Sequence, residues 1–94
     1  MDALTIHLAQ SAAGDLEAIP DKLRNQIVEA IKSLAERPLS SGSTTKRLKG
    51  FKPPLYRLRS GDYRVLYRVQ GSAILVMRII DRKDLERTIK RLHL

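Results

Sequence analysis

Cysteine and tryptophan are absent from this 94-residue chain, and phenylalanine occurs once. The missing cysteine removes a disulfide framework, a thiolate metal site and a cysteine nucleophile in one step, and it fits a reducing cytoplasm. Long apolar runs are missing as well. None approaches the roughly 20 residues that a spanning helix needs, and the N-terminal segment lacks the basic-then-apolar layout of a signal peptide. The expectation is a soluble, unprocessed protein with no membrane role. Acidic residues are outnumbered, 10 against 18 Lys plus Arg, which leaves a formal charge of +8. An excess of that size is the electrostatic footprint of a nucleic-acid binder, and an acidic protein partner would satisfy it equally well. The length allows one compact domain over residues 1–94 and no second core. A core this small gives marginal stability, to which a tightly bound partner can add.

The apolar pattern changes period along the chain. Leu4, Ile6 and Leu8 alternate with Thr5 and His7, the signature of a short strand with one buried face. Ser11 is placed to cap a brief helix carrying Ala12, Leu16 and Ile19, in which Gly14 costs about 1 kcal/mol relative to alanine. Pro20 suits the first turn of a second helix, where Leu23, Ile27, Ala30, Ile31 and Leu34 recur at helical spacing until Arg37 and Pro38 stop it. Residues 40–45, Ser-Ser-Gly-Ser-Thr-Thr, have no periodicity and predict a loop. From Leu55 onward, runs rich in Tyr, Val, Leu and Ile are punctuated by Ser60-Gly61 and Gly71-Ser72, which predicts a three-stranded meander. Asp81 is placed to cap a last helix with Leu85, Ile89 and Leu92 on one face. The order predicts an α+β domain. An N-terminal strand and a two-helix hairpin pack on a small, mostly antiparallel sheet that contains the meander, and a short terminal helix follows.

Pairing across these turns places the arginines. A two-residue turn at Ser60-Gly61 sets Arg59 opposite Asp62, Arg57 opposite Arg64 and Leu55 opposite Leu66. A tight turn at Gly71-Ser72 then pairs Arg68 with Leu75, Leu66 with Met77 and Arg64 with Ile79 on the same face. Two arginines directly opposite repel, so the face invites either solvation or a bound phosphate. The other face collects Tyr56, Leu58, Tyr63, Val65, Tyr67, Val69, Ile74, Val76 and Ile80 as the floor for the helices, and the tyrosines are core rather than base-stacking residues. Strict alternation puts Arg78 among them, where an unpaired guanidinium is expensive, so a bulge or an exit at a sheet edge is expected there. Leu66, Leu75, Met77 and Ile79 form an apolar strip that a terminal helix or a partner segment should cover.

Three stretches together resemble the RelE-type toxins of the RelE/ParE superfamily. They are Lys46-Arg47-Leu48-Lys49-Gly50, then residues 55–67 (Leu-Tyr-Arg-Leu-Arg-Ser-Gly-Asp-Tyr-Arg-Val-Leu-Tyr), then Arg78-Ile79-Ile80-Asp81-Arg82-Lys83-Asp84. The resemblance implies the toxin of a type II toxin–antitoxin module: a ribosome-dependent endoribonuclease that cleaves messenger RNA and is silenced by a cognate antitoxin, which can also carry it to operator DNA. It implies no metal and no cofactor. In such chemistry a ribose 2′-hydroxyl attacks the adjacent phosphorus, so added negative charge must be stabilised and protons moved. By resemblance Arg57, Arg64 and Arg82 are the catalytic cations. Lys46, Arg47, Lys49, Lys52, Arg59, Arg68 and Lys83 are RNA contacts, and Leu66, Leu75, Met77 and Ile79 are the antitoxin-binding strip.

The chain departs from that pattern after the last strand, where many members carry a tyrosine or histidine and Asp84-Leu85-Glu86-Arg87-Thr88 stands instead. Asp84 and Glu86 in a first helical turn read as dipole partners, and His7 and His93 as structural or solvated histidines. The departure keeps two alternatives open. One is a ParE-like inhibitor of a type II topoisomerase; the other is a decayed toxin that serves as an antitoxin- and operator-binding module.

Overall fold

The computed structural model describes residues 4–36 and 44–92. The elements run β1 (Thr5–Leu8), α1 (Gln10–Glu17), α2 (Asp21–Leu34), β2 (Thr45–Leu48), β3 (Leu55–Ser60), β4 (Tyr63–Gln70), β5 (Ala73–Asp81), a 3₁₀ turn (Arg82–Asp84) and α3 (Leu85–Leu92). They form the expected α+β architecture around one five-stranded sheet of order β1-β5-β4-β3-β2. β1 pairs parallel with β5, and the other neighbours pair antiparallel. The predicted helix stop at Arg37 and Pro38, loop residues 40–43 and His93 lie outside the described residues.

Local chemistry explains where the elements differ from expectation. α1 starts one residue before Ser11, at Gln10, after an extended Ala9 that makes no side-chain cap. The Ala9 N–H donates to the Val76 carbonyl at 2.9 Å, so the chain is still tied to β5 when it turns into the helix. Pro20 is the residue before α2, with Asp21 opening the first turn. Its missing N–H is no loss there, because the first turn leaves donors unpaired in any case. Thr45 belongs to a strand rather than to the loop. β2 pairs with β3 along Thr45↔Leu58 to Leu48↔Leu55, adding a fourth strand to the meander. Its sequence, Thr-Lys-Arg-Leu, carries the charges of a protected edge strand and shows no apolar alternation.

The β3–β4 turn is Gly61-Asp62, one residue later than expected, with Gly61 at φ 57° and Ser60 paired with Tyr63. A positive φ at that corner favours glycine and matches the twist of a two-residue hairpin. Moving such a turn by one residue changes every partner by two and leaves every face unchanged. Arg59, not Arg57, is therefore opposite Arg64, and Arg57 is opposite Leu66. The β4–β5 turn is Gly71-Ser72 as predicted, closed by Gln70↔Ala73.

A bulge then interrupts β5. Tyr67 pairs with Val76 and Leu66 with Arg78, so Met77 is the extra residue. From that point the two faces of β5 exchange. Ile79, expected in the apolar strip, lies in the helix-side core with Ala12, Ile27, Ile31, Leu34, Leu58, Val65, Tyr67, Ile74 and Val76. Ile80, expected in that core, joins Phe51, Leu55 and Leu66 on the opposite face, where Leu48, Met77, Leu85 and Ile89 pack on them. Arg78 is not buried among the helices. β1 pairs with β5 only as far as Val76, and at the edge beyond it Asp15 of α1 accepts from Arg78 Nε at 2.7 Å and from the Ile79 N–H at 2.9 Å.

Replacing Asp15 leaves that guanidinium and a part-buried N–H without an acceptor, at a cost of about 1–3 kcal/mol. Urea denaturation should show Asp15→Ala destabilised by this amount and Asp15→Asn, which keeps one oxygen acceptor, by less. Tyr67 is fully buried and stacks on Tyr56 with ring centroids 5.5 Å apart. Burial first, and then the Tyr56 phenol, push its ionisation up to about 12 from 10.0. A group whose folded value is raised contributes stability below its unfolded value that is lost as pH climbs, here between about 10 and 12. Absorbance in the phenolate band should show unfolding coupled to Tyr67 ionisation in that window, and Tyr67→Phe should remove the coupled step.

Candidate phosphate-binding site

The site is built by the β3–β4 hairpin and by the chain that leaves β5. On the sheet face away from α1 and α2, Arg59 stands opposite Arg64, and Arg64 opposite Ile80. In the next row on that face Lys46 is opposite Arg57, and Arg57 opposite Leu66. Alternation alone puts these cations on one side, since residues two apart share a face. The end of β5 adds the remaining member. Asp81 accepts from the Lys83 N–H at 3.0 Å and caps the 3₁₀ turn, as the sequence predicted. The Arg82 N–H donates to the Asp62 carbonyl at 2.8 Å, which fastens this turn to the hairpin tip. The Arg82 side chain also reaches the Asp62 carboxylate, at 3.7 Å.

Arg64 is the centre. Its Nη1 donates to the Gly61 carbonyl at 3.0 Å and to the Tyr63 carbonyl at 2.9 Å, so the guanidinium is held over the turn rather than free in solvent. Its pKa lies below the ordinary arginine value. Burial is the largest cause, followed by repulsion from Arg57, Arg59 and Arg82, with Asp62 acting the other way. An arginine does not lose its proton in a protein, so the repulsion persists, and a bound anion would relieve it. Positive charge gathered at one corner is the kind of environment that can stabilise charge gained at phosphorus.

The expected site residues divide. Arg57, Arg64 and Arg82 come together. Arg59, expected only as an RNA contact, is the direct cross-strand partner of Arg64, and Lys46 adjoins Arg57. Lys83 follows Arg82 in the 3₁₀ turn, while Lys49 and Lys52 are exposed in the β2–β3 connection. Arg47 pairs with Tyr56 and so falls on the other face. Arg68, four residues along β4 from Arg64, is displaced by about 13 Å of strand. It sits opposite Leu75, and its Nε is buried without a hydrogen-bond partner. In the expected apolar strip Leu66 is fully buried beneath α3, Leu75 and Met77 are half-buried, and Ile79 is on the other side of the sheet. Asp62, expected opposite Arg59, lies in the turn and is tied to Arg82 instead. Its tie to Arg82 spans 20 residues, and no local pattern reports such a contact.

A family model for the ParE toxin of the type II toxin–antitoxin system parDE matches residues 6–86. The chain belongs to this toxin family. Solved structures with the same fold include the RelBE2 toxin–antitoxin complex of Mycobacterium tuberculosis, at 26% identity and a TM-score of 0.72, covering 85% of this chain and 99% of that one. The archaeal RelE–RelB complex of Pyrococcus horikoshii superposes with a TM-score of 0.73 at 24% identity, covering 85% and 96% of the two chains. Isolated Escherichia coli RelE does so with a TM-score of 0.70 at 21% identity, covering 96% and 99%. No curated protein sequence matches. The protein is a type II toxin of the RelE/ParE superfamily, and among its described residues no helix is long and apolar enough to cross a membrane.

The opposed pair in this toxin has a measurable cost. Like charges directly across two strands destabilise by roughly 0.2–1 kcal/mol. Arg59→Ala should therefore raise the melting temperature at low salt, and the gain should shrink as added salt screens the wild-type repulsion. Calorimetry at two ionic strengths checks both.

Proposed function

We propose that this toxin acts on RNA, as a metal-independent, ribosome-dependent endoribonuclease that cleaves messenger RNA in the cytoplasm. One observation carries the reading: half-buried Arg64 shares a sheet face with Arg57 and Arg59, and Arg82 joins them from the turn that leaves β5. In transesterification by a ribose 2′-hydroxyl, the phosphate gains negative charge as the new P–O bond forms and the 5′-oxygen leaves. Arg64, fixed by two backbone carbonyls, and Arg57 beside it would take up that charge. Arg82, tethered to Asp62, would close the site from the end of β5. Charge stabilisation, not proton transfer, is the step that this arrangement performs.

The cognate antitoxin would neutralise the same face. Several relatives of this fold were solved as toxin–antitoxin complexes. An acidic, amphipathic antitoxin segment would seat on the half-buried Leu75 and Met77 and would compete with α3 for Leu66 and Ile80. Operator DNA would be reached through the antitoxin. A second reading, inhibition of a type II topoisomerase, is favoured by the ParE model that spans residues 6–86.

Expression from a tight promoter separates the two. The RNA reading expects amino-acid incorporation to stop before any DNA-damage response, and expects cleaved messenger RNA on ribosomes. Damage signalling that precedes the translation block supports the topoisomerase reading instead. Arg57→Ala and Arg64→Ala should each lower the cleavage rate by roughly 10²–10³, the usual cost of removing one donor to a developing oxyanion. Growth arrest at wild-type strength in both variants would sink the site.

A further inference from the structure

The arginine cluster is not the only cationic concentration on this face. α3 packs Leu85 and Ile89 against Leu66 and Ile80, residues that stand opposite Arg57 and Arg64 in the sheet. The helix therefore lies on the arginine side, with its own Thr88 buried on the inner face. Its outward side, continued back through the 3₁₀ turn, carries Lys83, Arg87, Lys90 and Arg91. These four line a shallow depression of about 510 Å³ together with Glu86. Arg87 lies four residues from Lys83 and three and four from Lys90 and Arg91, which puts them along one stripe.

Three ordinary explanations account for only part of the stripe. Asp84 is ion-paired with Arg87. The negative end of the helix dipole favours Lys90 and Arg91 in the last turn. Neither explains why Lys83 faces the same depression, next in sequence to Arg82 of the arginine cluster. Solvation alone would satisfy scattered cations, but these converge on a concave surface that continues a site already built for phosphate.

We propose that the Lys83–Arg91 stripe is a second anion subsite, which holds the phosphates of a single-stranded RNA on one side of the phosphate engaged by Arg57 and Arg64. The inference rests on the RNA reading above and extends it. Lys83 and Arg91 are separated by about 12 Å of helical rise. A stacked strand advances about 3.4 Å per nucleotide, so the stripe spans roughly three nucleotides. Concavity selects the form of the ligand. A flexible single strand can follow a depression, whereas a duplex is stiff over about 150 base pairs and presents its phosphates on a convex cylinder.

The test is the salt dependence of binding to a short fluorescein-labelled 2′-O-methyl RNA, which lacks the attacking hydroxyl and stays intact. Each phosphate contact contributes about 0.7 to the slope of log affinity against log salt for a single strand. Lys90→Gln combined with Arg91→Gln should lower that slope by about 1.4. The control removes the same charge from the far side of the sheet, at the exposed Lys22 and Lys32 of α2, and should leave the slope within error. All four side chains are exposed, and matching thermal melts verify that the variants fold alike. Equal slope changes in the two double variants, or no change in either, overturn the subsite. An equal loss with duplex DNA of the same length overturns its assignment to single strands. Wild-type protein that fails to bind RNA even at low salt overturns the functional reading on which the inference rests.

Discussion

One extra residue in β5, Met77, determines which side chains the second half of that strand offers to each face of the sheet. Up to Val76 the strand alternates in phase with β4, and after the bulge the phase is reversed. Ile79 then completes the core beneath the helices, while Ile80 supplies the centre of the smaller cluster that α3 covers. Without the reversal Ile79 would stand there and Ile80 would fall under α1 and α2, so the bulge decides which isoleucine α3 docks against, and a helix of eight residues does not hold together without such docking. The bulge is fastened from outside the sheet. Asp15 bonds both the Arg78 guanidinium and the Ile79 N–H, so α1 fastens the bulge to a residue 63 positions earlier in the chain.

That register also delivers Arg82. With Tyr63 opposite Asp81, the chain leaves β5 level with the hairpin tip, where the Asp62 carbonyl and carboxylate receive it. Cations from β3, β4 and the 3₁₀ turn thus meet at one corner because a bulge, a glycine-cornered hairpin and an aspartate cap agree on geometry. The cost is electrostatic. Arg64 is partly desolvated among like charges, and two backbone carbonyls with one nearby carboxylate offset only part of that penalty. Natural proteins retain such local conflicts where a ligand resolves them.

Much of this was legible in the residues. Period-two runs from Leu55 gave the meander and its faces as far as Val76, and 3.6-residue periodicity gave α2. A single aspartate before a helical pattern gave the Asp81 cap. The arginine face survived an error in the turn, because displacing a two-residue turn by one position keeps parity. For the same reason the sequence could not tell Arg57 from Arg59 as the residue facing Arg64. β2 stayed hidden because an edge strand needs neither apolar alternation nor length, and Thr-Lys-Arg-Leu looks like a solvated linker. The bulge could be inferred only as a remedy for Arg78, since its cause, Asp15, lies in another element.

The placement of Arg68 marks the boundary between the two chemistries on this face. Composition counts it with the other arginines, and the sheet sets it at the apolar end, opposite Leu75, with Nε out of reach of water. The face therefore grades from charged at the hairpin tip to apolar at the β4–β5 end, with α3 lying across the gradient. On the proposed function, a phosphate ligand would be drawn to the first region, and an amphipathic polypeptide would bury the second while its acidic side chains reached the first. Both ligands would use the one surface, so occupation by either would exclude the other through shared area and charge, without a conformational signal passing through the core.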